Sequence, residues 1–259
     1  MVRLVVGAVL AAAAFGAVRF LSDTAFRLVM CVVAALAARE YSRVADGGAG
    51  VRCWVLVAAV VTTCWVVSSG RTIAPVVPGV VLLVWLTVEV LWLGSTLQQS
   101  GVFVLAPFYI GLPLGFIPAI RTAAGWPGAA LLLAVVIVSD SAQYYVGRSV
   151  GRHRLAPSIS PNKTVEGALG GIVAASLLMG LVGTRVFPWD SGLVLASLGA
   201  LLAGAGICGD LVESRLKRTA GLKDSASLIP GHGGVLDRID ALLFVSPALC
   251  LYLYFQSPL

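Results

Sequence analysis

The residues able to do chemistry crowd into one stretch, 210–240. It holds the acids Asp210, Glu213, Asp224, Asp237 and Asp240, the bases Arg215, Lys217, Arg218, Lys223 and Arg238, and His232. Ten of the chain's 30 charged residues fall there. Carboxylates beside cations suit a divalent metal ion together with bound phosphate, because hard oxygen ligands hold the ion and Lys or Arg neutralises the phosphate. A solvated loop laced with salt bridges has the same composition. The order of residues favours a site, since Asp210 interrupts an apolar helix and Asp237 and Asp240 open the next one. On a helix, Asp210, Glu213 and Lys217 share one face, with Ser214 and Arg218 flanking it. Asp237 and Asp240 lie three apart at a helix start, which tolerates carboxylates. Asp210 and Asp237 brought face to face would repel unless a cation lay between them. They are the expected metal ligands, with Asp140, Asp224 and Asp240 as further candidates. Gly231, Gly233 and Gly234 around His232 permit close backbone approach to a phosphate or nucleotide, or form a plain turn. His232 either donates to a phosphate oxygen or stabilises its loop.

A second cationic stretch follows Ser139-Asp140-Ser141. Residues 142–165 contain Arg148, Arg152, Arg154 and Lys163 and no acid. Ordinary cytoplasmic loop charge would give the same count. The run Ser160-Pro161-Asn162-Lys163-Thr164 reads as a helix start, with Ser160 as N-cap and Pro161 in the first turn. A free helix N-terminus favours phosphate, and Asn162 and Lys163 add donors at that point.

The elements that must position these residues are membrane helices. The 259 residues are 59% apolar and 12% charged, about half the charge of a soluble domain. Apolar segments fall near 4–21, 25–39, 53–68, 73–94, 102–120, 126–141, 165–187, 191–212 and 240–256. The expected fold is an all-α polytopic membrane protein with about nine transmembrane helices. Residues 1–125 would anchor the chain and shape a lipid groove, and 126–259 would carry the catalytic region with loops 142–165 and 213–239. With the N-terminus inside, 13 Lys and Arg face the cytoplasm and five face out, so the site is expected on the cytoplasmic side of the cell membrane. The run after Arg3 also has the look of a signal peptide; cleavage there would remove one span and leave the later topology unchanged. The net charge of +6 suits anionic headgroups rather than nucleic acid. Cys31, Cys53, Cys64, Cys208 and Cys250 lack metal spacing and read as small core residues. The first half is poor in chemistry. Arg39, Glu40, Arg43 and Asp46 read as an interfacial turn, while Glu89 stands inside a span as either a functional or a structural acid.

The pattern Ser214-x-Leu216-Lys217-Arg218-x4-Lys223-Asp224-x-Ala226-x2-Ile229-Pro230-x-His232-Gly233-Gly234-Val235-x-Asp237-Arg238-Ile239-Asp240 resembles the full signature of the phosphatidate cytidylyltransferase (CDP-diacylglycerol synthase) family. Ser139-Asp140 through Gly167 resembles a second motif of that family, although Ser141-Ala142-Gln143 departs from the small residues expected there. The resemblance covers roughly residues 135–245. It implies a multi-helix membrane enzyme that joins CTP and phosphatidic acid with Mg²⁺, giving CDP-diacylglycerol and pyrophosphate in phospholipid biosynthesis. Its partners would be the two substrates and membrane lipids, with a homodimer left open. Asp210, Asp237, Lys217 and Arg218 would then act in catalysis. Lys163, Asn162, Ser214, Lys223, Asp224, His232, Gly233, Gly234, Arg238 and Asp240 would bind substrate. The alternatives are a CTP-dependent enzyme acting on another lipid phosphate or an isoprenoid alcohol, and a secondary transporter. Charge gathered at one membrane face, without repeat symmetry, argues against transport.

Overall fold

The computed structural model describes residues 2–46, 50–69, 79–80, 83–84, 87, 97–222, 225–226 and 233–256. Four helices among them are long and apolar enough to cross a membrane: Phe103–Val150, Val165–Val186, Gly192–Thr219 and Leu236–Gln256. Val6–Phe20 and Val51–Val67 are shorter apolar helices. The fold is that of a helical membrane protein. Most of the expected fourth segment, with Glu89, lies outside the described residues.

Helix α1 is Val2–Phe20. Helix α2, Asp23–Asp46, starts where the Ser22 hydroxyl accepts the Ala25 N–H at 3.3 Å, and Asp23 suits the positive helix end. Helix α3, Val51–Val67, buries Cys53, Leu56, Val60, Thr63, Cys64 and Val67, a helical spacing that puts one stripe against the core. Helix α4, Leu97–Ala106, runs through a π-helical turn at Pro107–Gly111 into α5, Leu112–Val150. Gly125 breaks α5 with φ 68° and ψ −179°, a left-handed conformation open to glycine. The expected segments 102–120 and 126–141 are therefore two arms either side of one glycine break. The second arm runs nine residues beyond the expected end: Ala142, Gln143, Tyr144 and Tyr145 continue the helix, which passes through Gly147 and ends at Gly151.

Residues 151–164 form a hairpin rather than an open loop. Strand β1, Arg154–Ala156, pairs antiparallel with β2, Ser160–Thr164. This corrects the expected helix start at Ser160. Pro161, Asn162 and Lys163 are extended, and the cap is Thr164, whose hydroxyl accepts the Gly167 N–H at 3.1 Å. Thr164 directly precedes the apolar run, so it holds the capping position that the Ser-Pro pair only mimics. Glu166 ties the hairpin to the helix by accepting the Arg152 N–H at 3.0 Å and contacting His153 Nδ1 at 2.6 Å.

Helix α6, Val165–Leu178, continues through a π-turn to Val186. Helix α7, Gly192–Thr219, begins at Ser191, whose hydroxyl accepts the Val194 N–H. It outruns the expected end at 212 by two turns. Leu222 N–H returning to the Lys217 carbonyl at 2.9 Å closes it, with Gly221 at φ 69°, a C-terminal cap that favours glycine. A short α8, Leu236–Ile239, then turns at Asp240 and Ala241 into α9, Leu242–Gln256. The core between α5, α6, α7 and α9 includes the buried Leu131, Leu132, Met179, Leu195, Leu202, Leu243 and Leu249. On the far side of α6, Leu169, Val173, Leu177 and Leu181 are 57–71% exposed. They form a fully apolar stripe at four-residue spacing, as a lipid-facing helix requires.

Candidate active site

The neighbouring ends of α5, α7 and α9, with the hairpin, surround a cleft of about 730 Å³. Its lining includes Asp140, Lys163, Asp210, Glu213, Lys217, Asp237, Arg238 and Asp240, rimmed by Arg148, Arg152, Arg154 and Asn162. Residues from both ends of the second half of the sequence therefore share one space. What brings them together is helix proximity at Gly209. A Cβ there would stand 2.5 Å from the Asp240 carbonyl oxygen and 2.9 Å from Phe244, so α7 and α9 touch backbone to backbone beside Asp210 and Asp240.

The charges fall into two clusters. In the first, Asp140, Asp210 and Asp240 lie within electrostatic reach of one another and of Lys163. Lys163 Nζ lies 2.5 Å from Asp210 Oδ2, and the Ser214 hydroxyl donates to Asp210 Oδ1 at 3.2 Å. Gln143 donates to Asp140 at 3.1 Å, and the Ala241 N–H donates to Asp240 at 2.9 Å. Arg238 also acts on Asp140, so three acids face two cations, and the excess negative charge repels unless further positive charge joins it.

The second cluster is drier. Lys217 Nζ lies 2.5 Å from Glu213 Oε2 and 2.5 Å from Asp237 Oδ1, with the Glu213 side chain 1% exposed and that of Asp237 5%. Asp237 Oδ2 accepts the Ser225 N–H at 3.1 Å, the Ser225 hydroxyl at 2.9 Å and the Gly234 N–H at 2.8 Å. The expected arrangement, Asp210 and Asp237 facing across one shared cation, is thus not what the side chains do. Each carboxylate lines the cleft but is engaged by a different lysine: the hairpin brings Lys163 to Asp210, while Lys217, one turn from Glu213 on α7, meets Asp237 from α8.

Other expectations need correction. Arg218 is exposed and directs a guanidinium N–H to the Leu222 carbonyl at 3.4 Å; it is not among the described residues lining the cleft. Lys217 stands two residues before the helix end at Thr219, and Arg218, next to it in sequence, points to a different side of the helix. Gly233 and Gly234 also stand outside the described lining. Gly233 has φ 75°, and a Cβ on it would come 2.5 Å from Asp237 Oδ2, so its glycine serves to wrap backbone around that carboxylate. Lys223, Asp224, Gly231 and His232 lie outside the described residues.

Glu40 is the residue that sequence reasoning passed over. It is 1% exposed near the end of α2, and accepts the Val235 N–H at 2.9 Å, the Leu236 N–H at 2.8 Å and the Ser225 hydroxyl at 2.9 Å. The signal available was a carboxylate in Arg39-Glu40-Tyr41 at a span's inner end, which is equally what an interfacial acid looks like.

Mg²⁺ was the expected cofactor. Among the described residues no three His, Cys, Asp or Glu side chains stand close enough to cage an ion by themselves. Mg²⁺ needs only one or two carboxylates, since phosphate oxygens and water complete its shell. The all-oxygen donor set of Asp140, Asp210 and Asp240 fits that requirement.

The fold and the cleft define a helical membrane protein with a polar, doubly charged site at the helix ends. Its family follows from the sequence as a whole: residues 1–256 match the Cytidylyltransferase family, and the chain belongs to it. It is 42% identical over 165 residues to a phosphatidate cytidylyltransferase of Bacillus subtilis (strain 168), covering 62% of this chain and 59% of that protein. It is 46% identical over 120 residues to a phosphatidate cytidylyltransferase of Staphylococcus saprophyticus, covering 46% of each. A similar stretch, 44% identical over 125 residues, matches the uncharacterized protein YnbB of Escherichia coli (strain K12), covering 48% of this chain and 40% of that one. The chain spans about half the length of these relatives.

Proposed function

We propose that the protein is a CTP:phosphatidate cytidylyltransferase that forms CDP-diacylglycerol and pyrophosphate. The observation that carries this reading is the pairing of two charge clusters in one cleft: Asp140, Asp210 and Asp240 with Lys163, beside Lys217 with Asp237. Two curated relatives bear the name of that activity.

A phosphate monoester is already nucleophilic near neutral pH, so no strong general base is needed. An oxygen of the lipid phosphate attacks the α-phosphorus of CTP, a new P–O bond forms, and the bond to the β-phosphate breaks. Pyrophosphate departs with that electron pair. The protein's task is to hold two polyanions in line and neutralise charge as it develops. Asp210, with Asp140 or Asp240, would hold Mg²⁺. When bound, the ion would offset phosphate charge. Asp237 would join this set only by giving up Lys217 from Oδ1. Lys163 and Lys217 each carry an ammonium group to the cleft, where they act as point charges toward phosphate. Arg148, Arg152 and Arg154 at the rim attract the triphosphate, and Arg238 adds a further cation to the lining. The lipid phosphate stays at headgroup depth while CTP arrives from water.

Nine spans, an N-terminus inside and a cytoplasmic cleft in the cell membrane complete the proposal; the count of charged loops supports it. The test is pyrophosphate release by the purified protein. Release should require CTP, phosphatidic acid and Mg²⁺ together, and release that is indifferent to phosphatidic acid would end this reading.

A further inference from the structure

The catalytic loop is anchored in the half of the chain that carries little other chemistry. Glu40 stands on α2, yet among the described residues its three hydrogen bonds all reach Ser225, Val235 and Leu236. Among the described residues no cation pairs with it. A buried carboxylate without a counter-ion must be stabilised by N–H and O–H donors, and here the loop supplies them. The partition is orderly. Of three consecutive backbone amides, Gly234 donates to Asp237, while Val235 and Leu236 donate to Glu40. The Ser225 hydroxyl lies 2.9 Å from Glu40 Oε2 and 2.9 Å from Asp237 Oδ2. A hydroxyl has one proton, so the two carboxylates compete for it. Gly234 is what lets the backbone close on this pair: a Cβ there would collide with the Ser225 hydroxyl and Glu40 Oε2, and would stand 2.7 Å from Glu40 Cδ.

We infer that Glu40 is a positioning residue for the transfer reaction, acting through Ser225 and the 234–236 backbone to fix Asp237, and with it Lys217, in the cleft. It does not touch substrate in this account. For its activity readout the inference rests on the proposed cytidylyl transfer.

Glu40→Gln keeps size but turns an amide NH₂ toward backbone N–H donors. Misplacement of a reacting constellation by about 1 Å costs on the order of 100-fold, so kcat should fall by roughly ten- to a hundredfold. The KM for CTP should stay within about threefold, since the lost contacts act on transfer rather than ground-state binding. A second readout needs no activity: a cysteine at Ala226, in a background lacking the five native cysteines, should react with a thiol reagent roughly tenfold faster when Glu40 is Gln, because a loop freed of its bonds opens more often. A merely structural role would lower the yield of folded protein and leave both kcat per folded enzyme and labelling rate unchanged. If Glu40→Gln does not fold, Ser225→Ala is measured in the same two ways; it removes only the shared hydroxyl, so about three- to tenfold lower kcat and faster labelling are expected. Wild-type kcat and labelling rate in the folded variant overturn the inference. A wild-type protein inactive toward CTP and phosphatidic acid, but with labelling that still accelerates on Glu40→Gln, would overturn the proposed function and leave the anchoring role standing.

Discussion

Replacing Lys217 with Met tests how the drier cluster is held. Lys217 lies 2.5 Å from both Glu213 and Asp237, whose side chains are 1% and 5% exposed. Removing it leaves two carboxylates with little water and no shared cation. Breaking a buried ion pair by deleting one partner costs about 3–5 kcal/mol. At about 2–4 °C per kcal/mol for a chain of this size, unfolding should come roughly 6–20 °C lower in detergent. The deficit arises from charge, so neutralising one carboxylate should undo most of it. Glu213→Gln combined with Lys217→Met should recover more than half of the lost melting temperature. Turnover should not recover, because the ammonium that faces phosphate is still missing; its loss should cost about 2–4 kcal/mol of transition-state stabilisation. Thermal unfolding and pyrophosphate release, measured on the same two preparations, separate the effects. An unshifted melting temperature in Lys217→Met would refute the electrostatic account of the cluster. Recovery of activity in the double variant would refute a direct role for Lys217 on phosphate.

Asp210→Asn should abolish turnover while folded yield stays close to wild type, since Asp210 is a partly exposed cleft residue and the asparagine amide oxygen can still face the buried Lys163 ammonium; turnover within about threefold of wild type would remove it from the metal site. Lys163→Ala should raise the KM for CTP by about tenfold and change kcat less, the mark of binding that is equal in ground and transition states. Normal CTP use with weakened use of phosphatidic acid would instead assign the hairpin to the lipid. A single cysteine at Ser158, in the hairpin turn between β1 and β2, should resist an impermeant thiol reagent in intact cells, and labelling from outside would reverse the proposed orientation.

What was readable in the sequence is what depends on local pattern. The apolar runs marked the helices, because a spanning helix must satisfy its backbone internally and show few charges. The cleft membership of Asp140, Asp210, Asp237, Asp240, Lys163 and Lys217 was legible because each sits at the end of an apolar run or in the segment joining two. Helix ends were less legible. Both α5 and α7 run past the point where hydropathy falls, since helical propensity and capping, not hydropathy, decide where a helix stops. Ser160-Pro161 satisfied the rule for a helix start, but a strand pairing with Arg154–Ala156 overrode it. Pairing partners across the fold were not legible at all. Nothing local distinguishes Glu40 from an interfacial acid, because its partners are 185 to 196 residues away. The choice of Lys163 for Asp210 likewise depends on how the hairpin folds over the helix ends, and that of Lys217 for Asp237 on where α8 meets α7.

The central claim is that this cleft moves the cytidylyl group of CTP onto a lipid phosphate, and the fate of the phosphorus atoms tests it most directly. The purified protein is given phosphatidic acid and Mg²⁺ with CTP labelled either at the α- or at the γ-phosphorus, and the lipid and aqueous phases are counted after extraction. The account predicts α-label in the lipid as CDP-diacylglycerol, γ-label in water as pyrophosphate, and neither product from Asp210→Asn. Label from the γ-position in the lipid, or no label transfer from an intact, folded preparation, would contradict it.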